Sequence, residues 1–213
     1  MKKLLFIFGI FSYTFLQAQQ SDVEIAAHRN WYQPEDPETI FFDLSTFYPL
    51  GISNSSFNND YQLDQGIQFG VHIFIVPEFT AGLYGKWHGS EVTNIEKIGN
   101  INETRFNEYG LELGYYYAID QKVNVHLTGG VAGVYLRNLV NFSPNSFGEN
   151  GISYKLGVAL GYRFNQTLAV FAKVSPYYLN MDIQNEAYDN YLNDHILMDF
   201  GVGLRIHLHN PNG

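Results

Sequence analysis

Cysteine is absent from all 213 residues. That excludes disulfides, a thiolate nucleophile and Cys-ligated metal sites, and with them the lipidated cysteine of a bacterial lipoprotein. Basic residues are scarce as well. The chain carries 12 Lys+Arg against 21 Asp+Glu, a formal net charge of −9, so it lacks a basic footprint for nucleic acid. Long apolar runs are missing beyond the first residues: none approaches the roughly 20 residues a membrane helix needs. Helical periodicity is also hard to find. What the chain has in quantity is 16 Tyr, 17 Phe and 20 Gly, with only 15% charged residues. Aromatics and glycine with few charges suit a β protein that exposes a large apolar surface.

The first residues read as a leader. Lys2 and Lys3 form a positive start, Leu4 to Leu16 a mainly apolar stretch, and Leu16-Gln17-Ala18 a short exit. Residues 1–18 are therefore expected to be a secretory signal peptide cleaved after Ala18. The competing reading, a retained membrane anchor, is disfavoured because the stretch is too short to span as a helix. Removal of Lys2 and Lys3 makes the mature chain more acidic still. Residues 19–38, polar and carrying Pro34 and Pro37, are expected to form a periplasmic N-terminal segment outside the main fold.

From there the dominant pattern has a period of two. Eight segments alternate, at 39–49, 64–76, 78–90, 105–118, 122–136, 151–164, 167–180 and 194–208. The second puts Ile67, Phe69, Val71, Ile73 and Ile75 on one face, with Gln68, Gly70 and His72 on the other. Such alternation is a strand signature, and its recurrence carries more weight than any one segment. The connections alternate too. Tight turns are expected at Val76-Pro77, Ile119-Asp120-Gln121 and Asn165-Gln166, and long polar connections near 50–63, 91–104, 137–150 and 181–193. Short turns on one side and long loops on the other are expected of an all-β, eight-stranded antiparallel up-and-down transmembrane β-barrel.

Charge decides which face meets lipid. A lysine facing lipid at the midplane costs about 2–4 kcal/mol, so Lys173 and Glu112, both mid-strand, should point inward. Parity then gathers Asp43, Lys86, Glu108, Glu112, Lys155, Arg163, Lys173, Asp199 and Arg205 in one lumen. Four are acids and five are bases, so the set can largely pair itself. The same assignment leaves two outward aromatic belts. Tyr48, Trp87, Tyr135, Tyr154 and Tyr178 fall toward the long loops. Phe79, Tyr115, Tyr117, Tyr162 and Phe164 fall toward the tight turns. Interfacial belts of this kind mark membrane barrels and argue against a soluble periplasmic barrel.

These features resemble the small outer-membrane β-barrel proteins of Gram-negative bacteria, of the OmpA/OmpX-like, porin-family type. The resemblance covers residues 39–208. It rests on the leader, the eight segments, glycine-punctuated strands such as Tyr109-Gly110-Leu111-Glu112-Leu113-Gly114-Tyr115, and the final Gly201-Val202-Gly203-Leu204-Arg205 strand. It implies an outer-membrane location, contact with membrane lipid and lipopolysaccharide, a monomer, and no cofactor. Members often end on an aromatic residue. Here the last strand stops near Leu208, and residues 209–213 form a short tail.

Candidate chemistry is thin. An eight-stranded interior is just wide enough for side chains to fill it, so the lumen charges read first as a paired polar plug. A narrow channel for ions or small solutes is the alternative, and a wide pore is disfavoured. His88-Gly89-Ser90 suggests a lipid A-modifying hydrolase, but parity aims both side chains inward and no second motif supports a triad. His72, His126 and His207 also face inward, and a shared metal is conceivable. Their strands are expected to stand too far apart to converge, so separately satisfied lumen histidines are the plainer reading. The loop at 181–193, acidic and aromatic, lacks a calcium pattern and reads as a solvated surface open to an unidentified partner. No catalytic, cofactor or metal residue is assigned, and a non-enzymatic barrel is expected.

Overall fold

The computed structural model describes residues 38–52, 56–98, 100–120, 122–140, 146–182 and 195–209. The expected signal peptide, most of the N-terminal segment, the core of the acidic connection and the final tail lie outside the described residues. In chain order the elements are β1 (Glu38–Gly51), α1 (Ser56–Asn59), β2 (Tyr61–Leu63), β3 (Gly66–Val76), β4 (Phe79–Val92), α2 (Ile95–Ile98), β5 (Ile101–Ala118), β6 (Val123–Val140), β7 (Ser146–Arg163), β8 (Leu168–Asp182) and β9 (His195–His209).

All pairings are antiparallel, each wall strand lies beside the next one in sequence, and β1 closes on β9 with Asp43 opposite Arg205. The result is a closed eight-stranded up-and-down barrel. The three-residue β2 is not a ninth wall strand. It pairs with Ser90–Val92 of β4, while β3 pairs with β4 from Trp87 downward. It therefore continues the β3 edge past a break at Asp64-Gln65.

Alternation fixes the two faces. Leu111, Leu113, Leu156, Val158, Val202 and Leu204 are exposed on the outside. Their neighbours Glu112, Lys155 and Arg205 are buried inside. This inverts a soluble protein, whose apolar side chains are drawn inward, and it gives the transmembrane form of the fold.

Two of the tight turns use the same local device. The Asp120 carboxylate accepts hydrogen bonds from the Lys122 and Val123 amides at 2.6 and 2.7 Å. The Asn165 side-chain carbonyl accepts from the Thr167 and Leu168 amides at 2.9 and 2.8 Å. Short Asx side chains turn the backbone by replacing one of its own bonds. The third turn, Pro77-Glu78, holds Glu78 at φ 74°, as a type II turn requires after proline.

At the other end the long connections differ from expectation. β6 and β7 stay paired to Leu139↔Ser146, so most of 137–150 is ladder rather than loop. β5 begins at Ile101, and α2 occupies part of 91–104. Backbone pairing satisfies N–H and C=O groups whatever the side chains are, so polar, asparagine-rich sequence can extend a strand beyond its apolar stretch. The connection near 50–63 also folds, into α1 and β2, with a consequence for the lumen.

Candidate functional site

The candidate site is the barrel interior, which the described side chains line in three storeys.

At the tight-turn end Phe41, with no exposed surface, sits among aromatic rings. His72 stacks on it at 4.5 Å between centroids, and His126, His207 and Tyr116 surround it at 5.4, 5.6 and 5.9 Å. The sequence expectation that these histidines would not converge is overturned: His72 and His126 are 5.2 Å apart. An eight-stranded lumen is so narrow that side chains from distant strands meet across it. Among the described residues no group of His, Asp or Glu has the arrangement of a metal site.

Hydrogen bonds fix the state of two of these rings. Arginine only donates, so the His126 Nδ1 that faces Arg205 Nη2 at 3.3 Å is an acceptor. Its proton is then on Nε2, which donates to Thr80 Oγ1 at 3.0 Å. His207 Nδ1 likewise accepts from Arg163 Nη2 at 3.3 Å, and the same guanidinium donates to the Tyr116 hydroxyl at 2.9 Å.

The middle storey carries the charges. Arg205 grips Asp43 with two parallel bonds of 2.7 Å, the strong bidentate form of an ion pair, and lies over the Phe41 ring at 4.2 Å. Lys86 reaches Asp199 at 2.7 Å and Glu108 at 3.4 Å. Glu108 also accepts from the Tyr84 hydroxyl at 2.6 Å and from Ser153 at 3.1 Å. Glu112 meets His72 at 3.3 Å, with Lys173 and Lys155 at 3.9 and 4.0 Å. Aromatic faces complete the cation shells: Tyr177 stands 3.9 Å from Lys86 Nζ and Tyr84 3.2 Å from Lys155 Nζ. All nine parity-assigned charges thus face the interior, Lys173 half-buried and the rest buried.

Above them the chemistry reverses. Phe57 of α1 and Tyr61 and Leu63 of β2 fold across the mouth. They pack on Phe106, Val134, Leu136, Leu179, Met181 and Leu197, which point inward from the upper strands. Val92 and Ile98 close the edge. Burial, with Glu149 and Asp60 nearby, pushes the Tyr61 phenol above its ordinary range and keeps it protonated. Sequence reasoning missed this roof. Its one signal was apolar residues on the inward parity at strand ends, such as Leu136 and Leu197, where the lower strands carry charges.

The His88 and Ser90 pair is inward but not a dyad. Ser90 Oγ donates to the Thr104 carbonyl at 3.3 Å, while His88 stacks on Phe106 at 4.3 Å and bonds Gly89 O through Nδ1 at 3.1 Å. Both serve the packing beneath the roof.

On the outside, the ten belt aromatics all point away from the lumen, and several are paired. Tyr154 faces Tyr178, Phe79 faces Tyr115 at 5.2 Å, and Tyr162 faces Phe164 at 5.7 Å. Trp87 Nε1 donates to the hydroxyl of Tyr109 at 3.0 Å, which adds a residue that the sequence reading left out of the belt. Tyr48, Tyr135 and Tyr117 are exposed on the same surface.

No protein-family model matches the sequence, and no curated protein matches it either. Solved structures do match in shape. Neisserial surface protein A superposes with a TM-score of 0.57 at 7% identity, over 78% of this chain and 96% of that one. A major outer membrane protein from Thermus thermophilus gives 0.52 at 12% identity, over 79% and 99%. At such identities the likeness concerns architecture alone: the chain has the fold of the small eight-stranded outer-membrane β-barrels.

Proposed function

We propose that this protein is a non-enzymatic outer-membrane barrel with a sealed lumen. It is delivered by a cleaved signal peptide, stands as a monomer in lipid and lipopolysaccharide, and acts through the surface it presents at its long-connection end. The tight turns lie in the periplasm and the roof faces outward. The observation that carries this reading is the roof itself. A conduit needs a continuous polar path, and here buried apolar side chains from α1, β2 and four wall strands stand above the charged storey. A plug of paired charges beneath an apolar cap suits an anchor better than a channel. The His88–Ser90 geometry offers no support for hydrolysis of lipid.

The reading is tested by fractionation and permeability together. The full chain is expected in the outer-membrane fraction, to migrate faster on unheated than on heated detergent gels, and to leave proteoliposomes impermeable to small sugars. Recovery as a soluble periplasmic protein would overturn the membrane assignment, and rapid swelling of the liposomes would overturn the seal.

A further inference from the structure

The wall strands turn only two Lys or Arg side chains outward among the described residues, Arg105 on β5 and Arg137 on β6, and these stand directly opposite each other. Like charges in that position are destabilising. Glu103 answers one of them, accepting from Arg105 Nε at 2.6 Å and Nη2 at 3.5 Å. Arg137 has one long contact, from Nε to Ser146 Oγ at 3.4 Å, and no carboxylate within 4.0 Å among the described residues. The other acids do not reach it. Glu91 and Asp64 belong to the β4 side and Asp182 to β8, each two strands from Arg137. Two strand spacings are roughly 10 Å, longer than the screening length of about 8 Å. Glu149, next to Gly148 on β7, points inward toward Asn138.

Beneath Arg137 the outer face of β6 is hollow. Tyr135, the next outward residue, leans up and over Gly148. Gly133 follows, and a Cβ there would meet nothing within 4 Å; at Gly129 it would meet only Leu156 Cδ2, at 3.6 Å. Other outward glycines are covered, Gly85 by the Trp87 ring for example. Exposed side chains wall the hollow on both sides. Tyr109 and Leu113 of β5 lie opposite Gly133 and Gly129, as do Ile152 and Leu156 of β7. An open apolar slot thus runs roughly 13 Å along β6 between the two glycines, below an arginine that no acid neutralises.

We propose that this face holds one lipid with a phosphate headgroup: Arg137 takes the phosphate, and an acyl chain lies in the slot over Gly133 and Gly129. The inference rests on the membrane reading above. Belt aromatics sit at headgroup level, so the arginine row, one step above Trp87 and Tyr135, stands where lipid phosphates are. A guanidinium matches a phosphate with two parallel hydrogen bonds. The Arg105–Glu103 pair beside it keeps the acid's charge occupied. The slot lacks side chains where a neighbouring alkyl chain would otherwise have to ride over them.

The test uses the full mature chain refolded into neutral detergent micelles, with phosphatidylglycerol, diacylglycerol of the same tails, or inorganic phosphate added. Bound species are counted by native mass spectrometry, and folding is checked by heat-modifiable migration. One phosphatidylglycerol is expected to stay on each barrel, and neither diacylglycerol nor inorganic phosphate. Arg137→Gln and Gly133→Leu should each lose that lipid while folding normally, and Lys122→Gln, at the tight-turn end, should keep it. If Gly133→Leu does not fold, Gly129→Leu, lower in the same slot, should show the same loss. Equal retention of diacylglycerol would overturn the phosphate contact, and retention of inorganic phosphate without lipid would overturn the slot. Lipid that survives both substitutions would overturn the site, as would a dimer, abolished by Gly133→Leu, in place of the lipid. A chain that fractionates with the outer membrane yet retains no lipid would overturn this inference and leave the membrane reading standing. A soluble chain would overturn both.

Discussion

Arg205 and Leu197 lie on the same face of β9, and both are buried inside the barrel, yet they keep opposite company. Arg205 has the Asp43 carboxylate, the Phe41 ring and His126 around it. Leu197 has Phe57, Leu136, Leu179 and Met181. The lower lumen is thus held by directional polar contacts, and the upper one by packing of the kind found in a soluble core. The difference follows from what surrounds each wall. Where the outer face is apolar, the inner face is free to carry charge, because charge pairs can be satisfied across a narrow lumen. Toward the mouth a cap is available from the chain itself, since the connection after β1 is long enough to fold back as α1 and β2.

Breaking one member of a buried pair should give the largest effect. Arg205→Ala leaves Asp43 buried without its partner and is expected to cost about 3–5 kcal/mol, read from urea unfolding in vesicles. Replacing both, as Asp43→Leu with Arg205→Leu, should cost clearly less than the single change. A roof variant, Leu136→Ala, is expected to cost about 2–5 kcal/mol through the cavity it leaves, measured the same way. Unlike Arg205→Ala, it should leave the lower lumen's hydrogen-exchange protection intact. On the outside, Val158→Arg, midway between Tyr154 and Tyr162 on β7, should cost about 2–4 kcal/mol in a bilayer and much less in a short-chain detergent micelle. At the small end, Arg105→Ala removes an exposed contact with Glu103, and the unfolding midpoint should not move measurably.

Much of this was legible in the sequence, for a physical reason. Membrane lipid forces a strict choice between faces, so Glu112 and Lys155 betray the inward parity of entire strands. That parity then assigns Leu111, Leu113 and Val158 to the outside. The Asp120 and Asn165 turns were legible because short polar side chains at those positions bend the backbone locally. Three features escaped. Polar sequence at 137–150 gave no sign that it pairs as ladder, since ladder formation there depends on backbone rather than side-chain chemistry. The meeting of His72 with His126 depends on lumen width, a property of the closed barrel and not of either strand. The roof joins α1 and β2 to residues from distant strands, and only closure brings Phe57 to Leu197.

The sealed lumen is tested most directly by single-channel recording on the purified full chain in a planar bilayer. Wild type is expected to be silent at moderate voltage. A variant with Phe57, Tyr61 and Leu63 all changed to serine, which dissolves the roof's contribution from α1 and β2, is expected to show small discrete openings. Steady conductance from the wild-type barrel, unchanged by that triple substitution, would contradict the seal.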